Sequence, residues 1–183
     1  MQTLMTGLMF VESPRWHDHR LWFADWGTQE IVAVGLDGKS EVIVSMKLSS
    51  LAVTPDNSTL IIAESYGKKL TAFDIAKGGQ LSNRRVWADL KDGVPDGICI
   101  DAENAVWYAD VPNRRCVRVR EGGEVLETVQ LDLGCFACML GGADGRTLFI
   151  VAREWRGLES TADRSRKGQV LTITAPAPHA GRP

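Results

Sequence analysis

Asp101-Ala102-Glu103-Asn104-Ala105-Val106-Trp107-Tyr108-Ala109-Asp110 reads as a polar hairpin turn, an apolar run, and an alanine followed by a charged residue. Three other segments share this plan: Trp16-His17-Asp18-His19-Arg20-Leu21-Trp22-Phe23-Ala24-Asp25, Thr54-Pro55-Asp56-Asn57-Ser58-Thr59-Leu60-Ile61-Ile62-Ala63-Glu64, and Ala143-Asp144-Gly145-Arg146-Thr147-Leu148-Phe149-Ile150-Val151-Ala152-Arg153. The alanines Ala24, Ala63, Ala109 and Ala152 stand 39, 46 and 43 residues apart. After the first three come further β-rich runs at 30–34, 69–73 and 115–119, and later ones at 41–44, 84–87 and 124–129. Four short strands recurring every ~40–45 residues are the sign of β-propeller blades. A sandwich would also supply short strands but would not require this self-similarity. The expected fold is therefore all-β, one propeller domain over 1–174, with four-stranded antiparallel blades at about 10–48, 49–92, 95–132 and 136–174.

The composition is that of a soluble globular chain: 183 residues, 44% hydrophobic, 24% charged, formal net charge -2. There is no basic footprint for nucleic acid. No apolar run approaches the ~20 residues of a membrane span. Residues 1–10 lack a basic n-region and run into Glu12, so they read as a strand rather than a signal peptide. Cys99, Cys116, Cys135 and Cys138 lie in apolar segments without a disulfide-framework spacing, which implies buried thiols and a reducing, cytoplasmic setting. Cys135-Phe136-Ala137-Cys138 has neither the second pair of a zinc site nor a helix start for redox use.

Gly93-Val94-Pro95-Asp96-Gly97-Ile98-Cys99-Ile100-Asp101 carries the chemistry. A Pro-Asp-Gly turn sets a carboxylate at the mouth of a buried strand. Asp96 has two readings: a turn aspartate bonding its own backbone, or a carboxylate held by something that binds it. With the blades aligned on their alanines, Glu12, Ser49, Asp96 and roughly Cys138 fall at the starts of the innermost strands, which converge on a propeller's channel. Two carboxylates there repel unless a cation sits between them or one is protonated.

The chain resembles the gluconolactonase–regucalcin (senescence marker protein) family of six-bladed propellers. The likeness is carried by Glu12-Ser13-Pro14-Arg15-Trp16, Leu51-Ala52-Val53-Thr54-Pro55-Asp56, Val94-Pro95-Asp96-Gly97-Ile98-Cys99-Ile100-Asp101 and Cys138-Met139-Leu140-Gly141-Gly142, in that order. The resemblance implies a metal-dependent hydrolase of sugar-type lactones. A divalent cation (Ca²⁺, Zn²⁺, Mn²⁺ or Mg²⁺) would be held by Glu12 and Asp96, and Asp96 would also help deprotonate the attacking water. The family's Asn-Gly before Leu-Ala-Val is here Ser49-Ser50, so Ser49 replaces the third ligand with a hydroxyl. Arg153, after the fourth repeat, is the expected substrate-binding residue. Six blades need on the order of 250 residues, whereas only four are recognisable, which points to a shortened propeller and to the alternative of a non-catalytic, degenerate scaffold without the middle blades. Four blades at six-blade curvature would form an open arc whose two exposed sheet faces invite self-association.

Other candidates read as structural. His17-Asp18-His19 is expected in a solvent-exposed hairpin turn. Trp22, Trp87 and Trp107 are expected in the core. The Pro-rich segment 175–183 is expected to be a disordered tail. There is no Gly-x-Ser-x-Gly elbow and no P-loop.

Overall fold

A computed structural model describes residues 3–25, 27–47, 50–157 and 167–180. It is all-β, with fifteen strands among the described residues in four separate antiparallel sheets. The first sheet is β1 (Val11–His17), β2 (Arg20–Asp25), β3 (Glu30–Gly35) and β4 (Ser40–Ser45). The second is β5 (Ser50–Val53), β6 (Thr59–Glu64), β7 (Lys69–Ile75) and β8 (Leu81–Asp89). The third is β9 (Pro95–Ile100), β10 (Val106–Asp110), β11 (Arg115–Val119) and β12 (Val125–Gln130). The fourth is β13 (Gly134–Gly141), β14 (Thr147–Arg153) and β15 (Gln169–Thr174). Each sheet runs in chain order, as propeller blades do.

The second strand of each blade is nearly all apolar because both of its faces are covered. On β6, Leu60 and Ile62 pack toward the first blade, while Ile61 and Ala63 pack toward the third. On β10, Val106 and Tyr108 face the second blade, and Trp107 and Ala109 face the fourth. The repeat alanines Ala24, Ala63, Ala109 and Ala152 are all fully buried. The aspartates that follow Ala24 and Ala109 hold neighbouring segments in place. The Asp25 carboxylate accepts the Met9, Phe10 and Gly27 amides at 2.9–3.1 Å, and Asp110 receives Arg115 Nε at 2.9 Å. No residue of the outermost strands β4 and β12 is fully buried.

Three expectations are corrected. Residues 3–10 form no strand; Met5 and Leu8 instead pack on the outer face of the first blade, against Phe23, Val32 and Val34. His17 is buried, because it ends β1 and only Asp18 and His19 form the turn, both with positive φ. Its ring stands edge-on to Trp22 at 5.4 Å and its Nδ1 lies 3.2 Å from Asn57 Oδ1. Of the expected disordered tail, residues 175–180 are packed, with Ala175 and Ala177 buried. The Arg146 carbonyl accepts the Ala175 amide (2.7 Å), the Pro178 carbonyl accepts the Ala102 amide (2.9 Å), and the Gly145 carbonyl accepts the His179 amide (2.9 Å). Proline lacks a donor but keeps its acceptor, so a Pro-rich segment can still bridge two hairpin turns. Residues 181–183 lie outside the described residues.

The arc ends differ from its interior. On β14, Leu148, Ile150 and Ala152 enter the core shared with the third blade, but Phe149 and Val151 on the other face are 37% and 46% exposed. Val170, paired with Val151, is 65% exposed. Among the described residues no hydrophobic cluster joins the fourth sheet to the first. We therefore expect light scattering to show concentration-dependent association between copies of the chain, weakened by Val170→Glu. A monodisperse monomer at all concentrations would contradict an open arc.

Candidate functional site

Three of the four inner strands carry a β-bulge where they meet the second strand. The register shifts between Glu12 and Arg15 on β1, opposite Tyr108–Asp110 on β9, and between Cys135 and Ala137 on β13. Asp96 and Gly97 lie in the β9 bulge, between Pro95 (paired with Asp110) and Ile98 (paired with Tyr108). Bulges bend a strand and re-aim side chains, and here they turn the first and third blades toward a common space. Ser13, within the β1 bulge, has φ of 53°. Pro95-Asp96-Gly97, expected as a turn, is instead the bulged start of β9, and the Ser65 hydroxyl of the second blade donates to the Pro95 carbonyl at 2.6 Å.

That space is a cavity of about 460 Å³. Glu12, Arg15, Ser50 and Asp96 line its polar part, and Phe136, Met139, Phe149 and Val151 line its apolar part. Ser50 stitches the blades together: its Oγ lies 3.2 Å from Ser13 Oγ and accepts the Ile98 amide at 3.3 Å. Gly97 lets the third and fourth blades close on each other, since a Cβ there would stand 2.7 Å from Ala137 Cα and 3.0 Å from the Phe136 carbonyl oxygen.

Asp101, at the hairpin turn, and Asp96, in the strand bulge, differ in their partners. Asp101 is fully buried, accepts the Glu103 and Ala105 amides at 2.9 and 3.1 Å, and pairs with Arg118 Nε at 2.7 Å. The Asp96 carboxylate accepts no hydrogen bond among the described residues. Burial, reinforced by the nearby Glu12 charge, pushes the Asp96 carboxyl up to about 7. Burial also raises the Glu12 carboxyl. The structure thus brings Glu12 and Asp96 into one cavity. Ser49 lies outside the described residues, and Arg153 lines an adjoining cavity of about 300 Å³ with Phe136, Val151 and Trp155. Cys138 borders the main cavity, 4.0 Å from Cys99 Sγ, and all four cysteines are buried free thiols. The Cys99 thiol, facing Cys138 and dehydrated, is pushed well up.

Sequence reasoning missed Arg15 and Ser50 in the cavity. The available signal was their position on, or next to, the same inner-strand starts as Glu12 and Ser49.

Two half-buried carboxyls without hydrogen bonds among the described residues are a donor set that a hard divalent cation would suit, since it would relieve both the dehydration and the repulsion. No third His, Cys, Asp or Glu joins them among the described residues.

The Asp96 carboxyl titrates near 3.8 in the unfolded chain and about 7 in the folded one. Both forms are protonated below the first value. Between the two, only the unfolded chain ionises, so stability falls as pH rises. Asp96→Asn should therefore raise the melting temperature in EDTA at pH 8, by up to about 4 kcal/mol of stability, and the gain should vanish near pH 4. Thermal melts across pH check this. Gly97→Ala should cost roughly 1–3 kcal/mol in denaturant unfolding, because β9 would be forced off β13.

Residues 48–154 match the family model described as the SMP-30/Gluconolactonase/LRE-like region. Regucalcin of Xenopus laevis is 35% identical over 102 residues, which cover 53% of this chain and 34% of that protein. L-arabinolactonase of Azospirillum brasilense is 29% identical over 135 residues, covering 73% and 44%. The solved structure of a luciferin-regenerating enzyme superposes with a TM-score of 0.77 at 19% identity, covering 92% of this chain and 62% of that one. The chain therefore spans between one third and two thirds of the length of these proteins. With the motifs, the four propeller blades and a family match over more than half its residues, the chain belongs to the SMP-30/gluconolactonase/LRE-like family.

Proposed function

We propose that the chain is a metal-dependent hydrolase of sugar-type lactones, acting in the cavity where Glu12 and Asp96 meet. The observation that carries this reading is the convergence of two unbonded carboxyls from the first and third blades, in a family that includes an L-arabinolactonase. Glu12 and Asp96 would hold the cation, with Ser49 as a further oxygen donor. A divalent cation bound there would polarise the lactone carbonyl as a Lewis acid. Asp96 takes the proton of the attacking water and returns it to the ring oxygen as the ester bond breaks. Phe136, Met139 and Phe149 supply an apolar wall against the sugar ring and exclude bulk water from one side. Arg153, at the adjoining cavity that shares Phe136 and Val151, binds outlying substrate hydroxyls.

The test is proton release from D-glucono-1,5-lactone in a pH-stat, after EDTA treatment and after adding back Ca²⁺, Mn²⁺, Mg²⁺ or Zn²⁺. Metal-restored hydrolysis should fall roughly 10²–10⁴-fold in Asp96→Asn. Hydrolysis that is unchanged in Asp96→Asn would remove the proposal. A second reading, a propeller that binds a cation without catalysis, is favoured by the absence of a third His, Cys, Asp or Glu near the pair among the described residues. It predicts a metal-dependent rise in melting temperature, abolished by Asp96→Asn, with no hydrolysis above buffer.

A further inference from the structure

We infer that Arg15 gives this cavity a preference for acidic sugars, its guanidinium pairing with a ligand carboxylate while the sugar extends toward Glu12 and Asp96. The inference deepens the lactone reading by naming a substrate class, and it uses the same cavity. Arg15 follows the β1 bulge and lines the space together with both carboxylates.

Arg15 differs from three other arginines that the fold shelters at least in part. Arg85, Arg115 and Arg118 each pair with a carboxylate, at 2.6 Å to Asp74, 2.9 Å to Asp110 and 2.7 Å to Asp101. Arg15 has no ion pair among the described residues, and its one hydrogen bond is from Nη1 to the neighbouring Pro14 carbonyl at 2.9 Å. A guanidinium has five N–H donors, so most of its donors remain for a ligand. Dehydration also lowers its hold on its proton, and a dehydrated cation without a counter-charge gains most from an anion that enters the site. The fork of a guanidinium matches a carboxylate in two parallel hydrogen bonds, which a neutral hydroxymethyl group cannot copy. The lining of the cavity thus holds two carboxyls for a cation or a carbonyl's attacking water, a guanidinium for an anion, and the apolar Phe136, Met139 and Phe149.

D-galacturonate and D-galactose differ only in a carboxylate against a hydroxymethyl group, and binding of each can be measured by calorimetry in EDTA at low salt, without turnover. Wild type should bind galacturonate at least about tenfold more tightly than galactose. Arg15→Gln should reduce that preference to near unity, and Arg15→Lys should keep part of it. Equal binding of both sugars by the wild type, or a full preference in Arg15→Gln, would overturn the inference. If Arg15→Gln does not fold, the wild-type comparison decides alone. A preference that depends on Arg15 in a chain that hydrolyses no lactone would uphold this inference and remove the hydrolase reading.

Discussion

The structure depends on the face-to-face burial of successive sheets. Each second strand divides its alternate residues between two cores, as β6 does with Leu60 and Ile62 on one side and Ile61 and Ala63 on the other. A strand obeying period two with both faces covered must be apolar throughout. This requirement explains the unbroken apolar run of every repeat, and it explains why the arc's last blade leaves Phe149 and Val151 exposed. Those residues follow the same pattern as Ile61 and Ala63 but have no neighbouring sheet among the described residues. On the first blade, Met5 and Leu8 take that place against Phe23.

The site follows from the same packing. Sheets that converge on an axis bring inner strands close, and Gly97 against Ala137 marks how close. Regular pairing would keep the side chains in the alternation of the pleat. The bulges at Glu12–Arg15 and at Asp96–Gly97 break that alternation and admit carboxyls to a space that is otherwise half apolar. The resulting dehydration and repulsion are the electrostatic tension that a cation, a proton or a substrate would relieve. Asp101, five residues from Asp96, has none of this tension, because two amides and Arg118 satisfy it.

The blades and their order were legible in the sequence because each repeat carries its own turn, strand and alanine locally. Trp22, Trp87 and Trp107 were legible as core for the same reason, being apolar residues at strand positions. Of the cavity's lining, the sequence pointed to Glu12 and Asp96, through the motifs around them. Arg15 escaped notice because a lone arginine on a strand looks like any solvated charge, and its surroundings come from β9 and β13, far away in sequence. His17 was misjudged by one residue: the strand runs one position further than the polar triplet suggests, and Asn57 of the next blade supplies a partner no local pattern announces.

The sequence by itself determined the propeller class, the blade repeat, the apolar second strands and the two carboxyls at inner-strand starts. All of these are written in short-range periodicity and turn chemistry. Only the tertiary structure decided which side chains share the cavity, that Asp96 lacks the backbone bonds Asp101 has, that Arg15 stands without an ion pair among the described residues, and that residues 175–180 pack. Each of these depends on contacts between segments tens of residues apart. Local preference does not encode such contacts; they arise when whole sheets stack and exclude water.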